Sequence, residues 1–436
     1  MDEKSKNIVD LFRDAITKIA SIMGKKSMST IITPRLTFLG DDSLNDASIF
    51  LANYLEDDDK RVLIICDKEL RNFGELVAEE LKTRRQIDTR IFDDVLPEVP
   101  LDKVLTAVEV CNDFKPGAII GLGGGSAIDM SKVVMILYEK PGFNLKDVFG
   151  ILQQNIGLRK KVKLLGAIPT TSGTGAEATY NAMVLDNSLD PPRKFAVPYY
   201  DICPDFVVLN INFVKSMPKF LTIGTGLDVF AHAMGAYTQV VGNEYSDMHN
   251  SKAIEMVLKY LPRAVANGND ILAREKMMLA AYIAGIGFMN SAVGVEHPLG
   301  HALGAAFHVH HGLAVGLFLP TSVSFLSKVS QKIFSLAEIF GIDTSGMNKE
   351  ETLRNVLVKY QEFLHKIDCP ISIEKMQRPK ISKEEYMEKM DFLIDHAYYD
   401  LPTLLSTRRV TKKNLKRMFE YAYSNKIDDL MKLLYE

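Results

Sequence analysis

The chain has 436 residues, 47% hydrophobic and 25% charged, with 52 Lys+Arg against 55 Asp+Glu and a formal net charge of −3. At ~150 residues per domain this suits a globular protein of two or three domains. It excludes a mainly disordered chain, a disulfide-framed miniprotein and a collagen-like repeat, and it gives no electrostatic reason to expect a nucleic-acid partner. Cys66, Cys111, Cys203 and Cys369 lie far apart with no CxxC pair, which points to a reducing compartment and away from a zinc–thiolate site. The opening MDEKSKN has no basic segment followed by an apolar run, so no signal peptide is expected.

Residues 1–25 place Ile8, Leu11, Phe12, Ala15, Ile16, Ile19 and Ile22 at helical spacing, predicting an amphipathic helical extension over about 1–30. From 31 to 218, short β-rich runs alternate with helical ones. The expected strands are Arg35–Leu39, Arg61–Cys66, Thr89–Phe92, Ala118–Gly121, Lys163–Ile168 and Phe206–Leu209. Between them fall helical patterns such as 69–82, 101–112 and 127–137. This alternation predicts an α/β domain with a parallel sheet covered on both faces. From 219 to 436 the β-rich runs stop, and long helical patterns at 224–240, 246–262, 272–290, 321–340, 350–366, 383–397 and 411–422 predict an all-helical second domain. Met277 to Val295 runs 19 residues without a charge. Its glycines, Asn290 and Ser291, and the lack of a basic flank, favour a buried core helix over a membrane span.

Ala118–Met130 reads as a strand, a glycine turn (Gly123-Gly124-Gly125-Ser126) and a helix start. Consecutive glycines let backbone approach a ligand, and the first turn of a helix offers unpaired N–H groups that attract phosphate. The usual dinucleotide fingerprint is not met, because Ser126 stands at the third glycine position. An acid instead follows an earlier strand: Asp67, placed to bind ribose hydroxyls and to repel a 2′-phosphate. The same residues could simply form a tight turn and a helix cap. A second polar loop, Thr170-Thr171-Ser172-Gly173-Thr174-Gly175, also follows an apolar run and suits a nucleotide or an ordinary turn.

Five of the nine histidines fall between residues 297 and 311: His297, His301, His308, His310 and His311. Upstream, Asp228 and His232 stand four apart in an apolar helical pattern, so they share one face. A buried carboxylate among imidazoles needs a compensating cation, and one carboxylate with three imidazoles suits Fe²⁺ or Zn²⁺. A buried ion pair is the plainer account of Asp228 and His232, and a solvated loop histidine of His308 or His310. His297 and His301 are one turn apart. His297 and His311 differ by 14 residues, roughly 21 Å on a straight helix, so His311 reaches the same ion only if the chain turns back near Gly304 or at His310-His311-Gly312. Spacing alone leaves His301 and His311 both open as the second ligand of this segment.

Taken together, the glycine turn, Pro169–Thr174, Gly226-Leu-Asp228…His232 and His297…His301…His311-Gly312 resemble the iron-containing (group III) alcohol dehydrogenase family over roughly residues 30–425. The resemblance implies a dehydroquinate-synthase-like fold, with an α/β dinucleotide-binding domain and a helical metal-binding domain. It implies metal ligands Asp228, His232, His297 and His311, with His301 beside the nicotinamide and substrate, and Phe288 lining the pocket. The cofactor residues it implies are Asp67, Gly124, Gly125, Ser126, Thr170, Thr171, Thr179, Asn181 and Lys194. Against the family pattern, Glu98 replaces a frequent Asn, Ser406-Thr407-Arg408 stands where an Asn-Pro-Arg element is usual, and 307–311 is unusually rich in histidine.

The function implied is NAD-linked interconversion of a primary alcohol and its aldehyde, with Fe²⁺ (or Zn²⁺) as the metal. The expected setting is a cytoplasmic homodimer or larger homo-oligomer with a small-molecule substrate and neither nucleic-acid nor membrane partner. Competing readings are a hydroxyacid–oxoacid transhydrogenase, polyol dehydrogenase or lyase of the same fold, a metal-dependent hydrolase, and a non-enzymatic metal- or nucleotide-binding protein.

Overall fold

The computed structural model describes residues 30–145, 155–188 and 193–436, so the amphipathic helix expected over 1–25 lies outside the described residues. Two compact units emerge, one spanning Ile32–Met217 and the other including Pro218–Glu436.

The first unit is an α/β layer structure. Its strands are β1 (Leu36–Leu39), β2 (Arg61–Ile65), β3 (Asp88–Phe92), β4 (Ala118–Gly123), β5 (Leu164–Pro169), β6 (Asn181–Asp186), β7 (Arg193–Pro198) and β8 (Phe206–Leu209). Six of them form one sheet in the order β1-β8-β5-β4-β2-β3, every pair parallel. These six are the runs expected from the sequence, each within two residues of its predicted limits. Helices α1 (Ser43–Tyr54), α2 (Arg71–Arg85), α3 (Leu101–Phe114) and α4 (Gly125–Glu139) connect them.

Alternation along β2 explains the layering. Val62 and Ile64 join the core on one face with Leu51, Leu81 and Phe206. Leu63 and Ile65 join the core on the other with Val104, Val133 and Leu165. Burying each such aliphatic side chain is worth about 1.5–3 kcal/mol, and a strand buried on both faces reads as a continuous apolar run. The antiparallel hairpin β6–β7 was not expected. Asn181 and Asp186 bound β6, and its six residues alternate between half-exposed and buried without the continuous apolar run that marks β2, β4, β5 and β8.

The second unit is helical. α5 (Lys219–Thr238) is buried at every residue from Gly224 to Thr238, the signature of a central helix rather than a surface one. Around it lie α6 (Glu244–Ala266), α7 (Ile271–Met289), α8 (Glu296–Phe307), α9 (His311–Leu326), α10 (Lys349–Lys366), α11 (Met390–Tyr398) and α12 (Lys412–Ser424), sharing one core. α8 and residues 311–320 of α9 escaped the helical reading; they carry Gly300, Gly304, Gly312 and Gly316, which lower helix propensity.

The expected helix over 321–340 is instead divided. α9 stops at Leu326 and a short helix begins at Ile333. The carbonyls freed at the break are taken up by Lys349, whose Nζ donates to Ser327 O at 2.9 Å and Ser330 O at 3.0 Å. The uncharged run 277–295 resolves into the end of α7 and a turn. Asn290 and Ser291 donate back to the carbonyls of Ile286 and Gly287. No helix among the described residues is long and apolar enough to cross a membrane.

Candidate metal centre and dinucleotide loops

In the α/β unit, β2, β4 and β5 are neighbours, so the segments leaving their carboxyl ends lie side by side. Crevices at such strand ends are where open parallel sheets take ligands. Gly123 ends β4 with φ of +152°, a conformation natural only to glycine, and α4 begins at Gly125. A side chain at Gly123 would meet the Ala127 methyl at 2.7 Å and approach Asp67 Oδ2 at 3.9 Å, so the acid stands beside the turn. Asp67 also caps: its Oδ1 accepts from Leu70 N at 3.1 Å. Both sequence readings of Asp67 are therefore compatible with its position. Burial pushes its carboxyl above the ordinary range, against the lowering effect of that backbone bond.

The second polar loop rests on the first. Thr170 N donates to Gly123 O at 3.0 Å, and the positions facing Gly124 and Gly125 are occupied by Thr171 and Thr174. Gly124, Gly125, Ser126, Thr170 and Thr171 thus gather at one place with Asp67. Thr179 and Asn181 lie at the far end of the loop and are tied to α4. The ammonium of Lys132, fully buried, donates to Ala176 O at 2.8 Å, Thr179 Oγ1 at 2.9 Å and Asn181 O at 2.6 Å. Asp129 Oδ2 accepts from Met183 N at 2.9 Å. Asn181 Oδ1 is buried without a partner. Lys194 pairs with Glu98 at 2.6 Å, so the residue that departs from the family pattern sits on an expected cofactor residue. Sequence reading missed Lys132 and Asp129, although two charges in the buried middle of α4 were a visible signal.

In the helical unit, α5 carries Asp228 and His232 on one face, α8 carries His297 and His301, and α9 opens at His311. The turn-back that His311 requires occurs at His308, which closes α8 in the left-handed region with φ of 56°. Gly312 then permits contact with α5, since a Cβ there would lie 1.9 Å from Gly224 O and 3.1 Å from Asp228 Cβ. As a result His311 Nε2 comes to 3.3 Å from Asp228 Oδ1. His297 Nε2 is at 3.9 Å and His232 Nδ1 at 3.8 Å from the same oxygen. Two ligands about 2.1 Å from one tetrahedral ion stand on the order of 3.4 Å apart, so these separations are of the right size.

One ligand atom from each of Asp228, His297 and His311 lies within 4.8 Å of the others. His232 is the outlying member, close to Asp228 but not in that mutually close set. Asp228 Oδ1, His232 Nδ1 and His297 Nε2 are all buried with no hydrogen-bond partner. Orphaned polar atoms clustered about Asp228 Oδ1, with His297 Nε2 at 3.9 Å and His232 Nδ1 at 3.8 Å from it, are costly unless a cation joins them. The residues fit a divalent metal.

The electrostatics agree. Burial would raise the Asp228 carboxyl, but the His232, His311 and His297 imidazoles overcome it and hold it well below the usual carboxylate range. Burial pushes His232 down to about 3, so its ring is neutral near pH 7 and has a lone pair to offer. His232 stacks on Phe288 with ring centroids 4.3 Å apart.

Two acids that the sequence reading passed over orient the histidines. Glu296 Oε1 lies 2.9 Å from His297 Nδ1. Asp400 Oδ2 lies 2.6 Å from His301 Nδ1, and the His301 ring stacks on His311 at 5.2 Å. Glu296 was the one acid in a long uncharged run. Asp400 stands 99 residues from its partner, which no local pattern reveals. His310 turns elsewhere, packing edge-on against Phe220 with centroids 5.4 Å apart.

Comparison with known proteins bears on both units. The family described as iron-containing alcohol dehydrogenase matches residues 34–211, and the Fe-containing alcohol dehydrogenase family, C-terminal, matches residues 222–423. The chain is 30% identical over 370 residues to an NADPH-dependent butanol dehydrogenase of Clostridium saccharobutylicum, covering 84% of this chain and 92% of that one. It is 30% identical over 401 residues to the bifunctional aldehyde-alcohol dehydrogenase of Escherichia coli (strain K12), of which it spans 44%. Among solved structures, an alcohol dehydrogenase from Oenococcus oeni superposes with a TM-score of 0.78 at 25% identity, covering 90% of this chain and all of that one. Since the matches run through both units, the chain belongs to the iron-containing alcohol dehydrogenase family.

Proposed function

We propose that this protein interconverts a primary alcohol and its aldehyde by hydride exchange with NAD, using a divalent metal held by Asp228, His232, His297 and His311. The observation that carries this reading is the set of buried, unpartnered ligand atoms around Asp228 Oδ1. Fe²⁺ is the favoured ion by family membership, and Zn²⁺ accepts the same donors. Such an ion supplies Lewis-acid polarisation of an alcohol or carbonyl oxygen.

The chain's own residues supply the rest. Gly124, Gly125 and Ser126, at the start of α4, receive the pyrophosphate through backbone N–H groups. Thr170 and Thr171 border it, while Thr179, Asn181 and Lys194 hold the remainder of the dinucleotide. Asp67 accepts from ribose hydroxyls and repels a 2′-phosphate, which favours NAD here even though the butanol dehydrogenase relative is named for NADPH. His301 is the catalytic residue. Its Nδ1 donates to Asp400, so Nε2 is left to receive the proton released on alcohol oxidation. Phe288 forms an apolar wall beside His232. Four buried cysteine thiols accord with a reducing cytoplasm, and the homo-oligomeric state rests on family resemblance alone.

The test is an NADH-absorbance screen of primary alcohols and aldehydes, run on anaerobically purified protein with Fe²⁺ or Zn²⁺ restored. The reading predicts metal-dependent turnover with catalytic efficiency higher for NAD than for NADP. Absence of redox turnover across the panel contradicts it, and a preference for NADP overturns the role given to Asp67.

A further inference from the structure

Glu296 is fully buried at the start of α8. Its Oε1 takes two hydrogen bonds, from Gly294 N at 2.9 Å and from the His297 ring at 2.9 Å, while Oε2 has no partner. Among the described residues its ion-pair contact is His297. A carboxylate with so little compensation is expensive to bury. The surrounding chain is nevertheless shaped to receive it. A Cβ at Gly235 would lie 2.1 Å from Oε1, and a Cβ at Gly294 would lie 2.1 Å from Oε2, so any other residue at either position would evict the carboxylate. Two glycines from different segments therefore carve its seat.

Charge gives the seat a purpose. A divalent ion held by Asp228 and three neutral imidazoles takes one negative charge from its own ligands. Glu296, one hydrogen bond beyond His297, adds another, as Asp400 does beyond His301. Its bond to Nδ1 also fixes which ring nitrogen carries the proton, leaving His297 Nε2 as the lone-pair atom toward Asp228. We propose that Glu296 is a positioning residue for the metal centre: it orients and polarises His297 and adds negative charge one hydrogen bond beyond the ligands. The inference rests on the metal-centre reading above and concerns a residue that this reading leaves without a task.

The experiment measures Zn²⁺ affinity by chelator competition on metal-stripped full-length protein, comparing the unsubstituted chain with Glu296→Gln and His311→Ala. Glu296→Gln keeps the shape and removes the charge. It is expected to raise the Zn²⁺ dissociation constant about 10–100-fold, while the metal-free form unfolds at an unchanged or higher temperature. Should that variant fail to accumulate, Glu296→Asp, which keeps the charge but no longer reaches Nδ1, is expected to weaken Zn²⁺ by at least several-fold. Affinity equal to that of the unsubstituted chain in either variant overturns the proposal. If His311→Ala also binds Zn²⁺ as tightly as the unsubstituted chain, the metal centre itself is wrong, and the two failures are told apart.

Discussion

At the scale of residues, His301 and His311 differ in what their ring nitrogens face. His311 Nε2 approaches Asp228 Oδ1 at 3.3 Å, whereas His301 Nδ1 is held by Asp400 at 2.6 Å. An imidazole fixed on one nitrogen by a carboxylate presents its other nitrogen in one tautomer and one direction, as a proton acceptor must. Asp400→Asn removes the charge and leaves either nitrogen free to carry the proton. The expected result is a kcat about 10-fold or more lower with KM little changed, measured by steady-state alcohol oxidation; an unaltered kcat would remove Asp400 from this role. Asp228 and His232 were legible as a pair because four-residue spacing is a property of any helix. Glu296 and Asp400 were not, because their significance comes from a tertiary neighbour. Spacing left the choice between His301 and His311 open for the same reason, since that choice depends on the left-handed turn at His308.

At the scale of elements, the loop 170–181 is bound to α4 through Lys132 and Asp129, so the glycine turn, the polar loop and β6 are held together by one helix. Glu177 lies inside this loop, and burial pushes its carboxyl up to about 7 from an ordinary 4.5, more than its own backbone N–H and Lys132 pull it down. The folded state therefore holds this proton more tightly than the unfolded chain does. The resulting stabilisation is complete below the unfolded pKa and is lost as pH rises through the folded one. Glu177→Gln, which mimics the protonated form, should gain about 2 kcal/mol on the unsubstituted protein between pH 5 and pH 8, as read from urea midpoints. An advantage that does not change with pH would contradict this. Four of the six sheet strands, β2, β4, β5 and β8, were legible as apolar runs, whereas β1 and β3 showed through β-branched and aromatic residues. The hairpin β6–β7 and the helices α8 and α9 were not. The hairpin strands mix charged and polar residues with apolar ones, while α8 and the first part of α9 carry glycines at 300, 304, 312 and 316 that weaken a helical reading.

At the scale of the whole chain, the sequence announces its architecture through the change at about residue 218, where strand–helix alternation gives way to helices alone. Composition excluded several classes without identifying one; the family became legible only when four short motifs were taken jointly. Each unit owns one half of the proposed chemistry. Strand ends and α4 form the dinucleotide loops, while α5, α8 and α9 bring ligand atoms from residues 228 to 311 together. The most direct test of this account is metal stoichiometry, by elemental analysis of anaerobically purified protein dialysed against limiting Fe²⁺ or Zn²⁺. The unsubstituted chain should retain one ion per protomer, and His311→Ala should retain essentially none while its circular dichroism stays unchanged. Equal metal content in the two proteins, or none in the unsubstituted one, would contradict the centre on which the proposed chemistry depends.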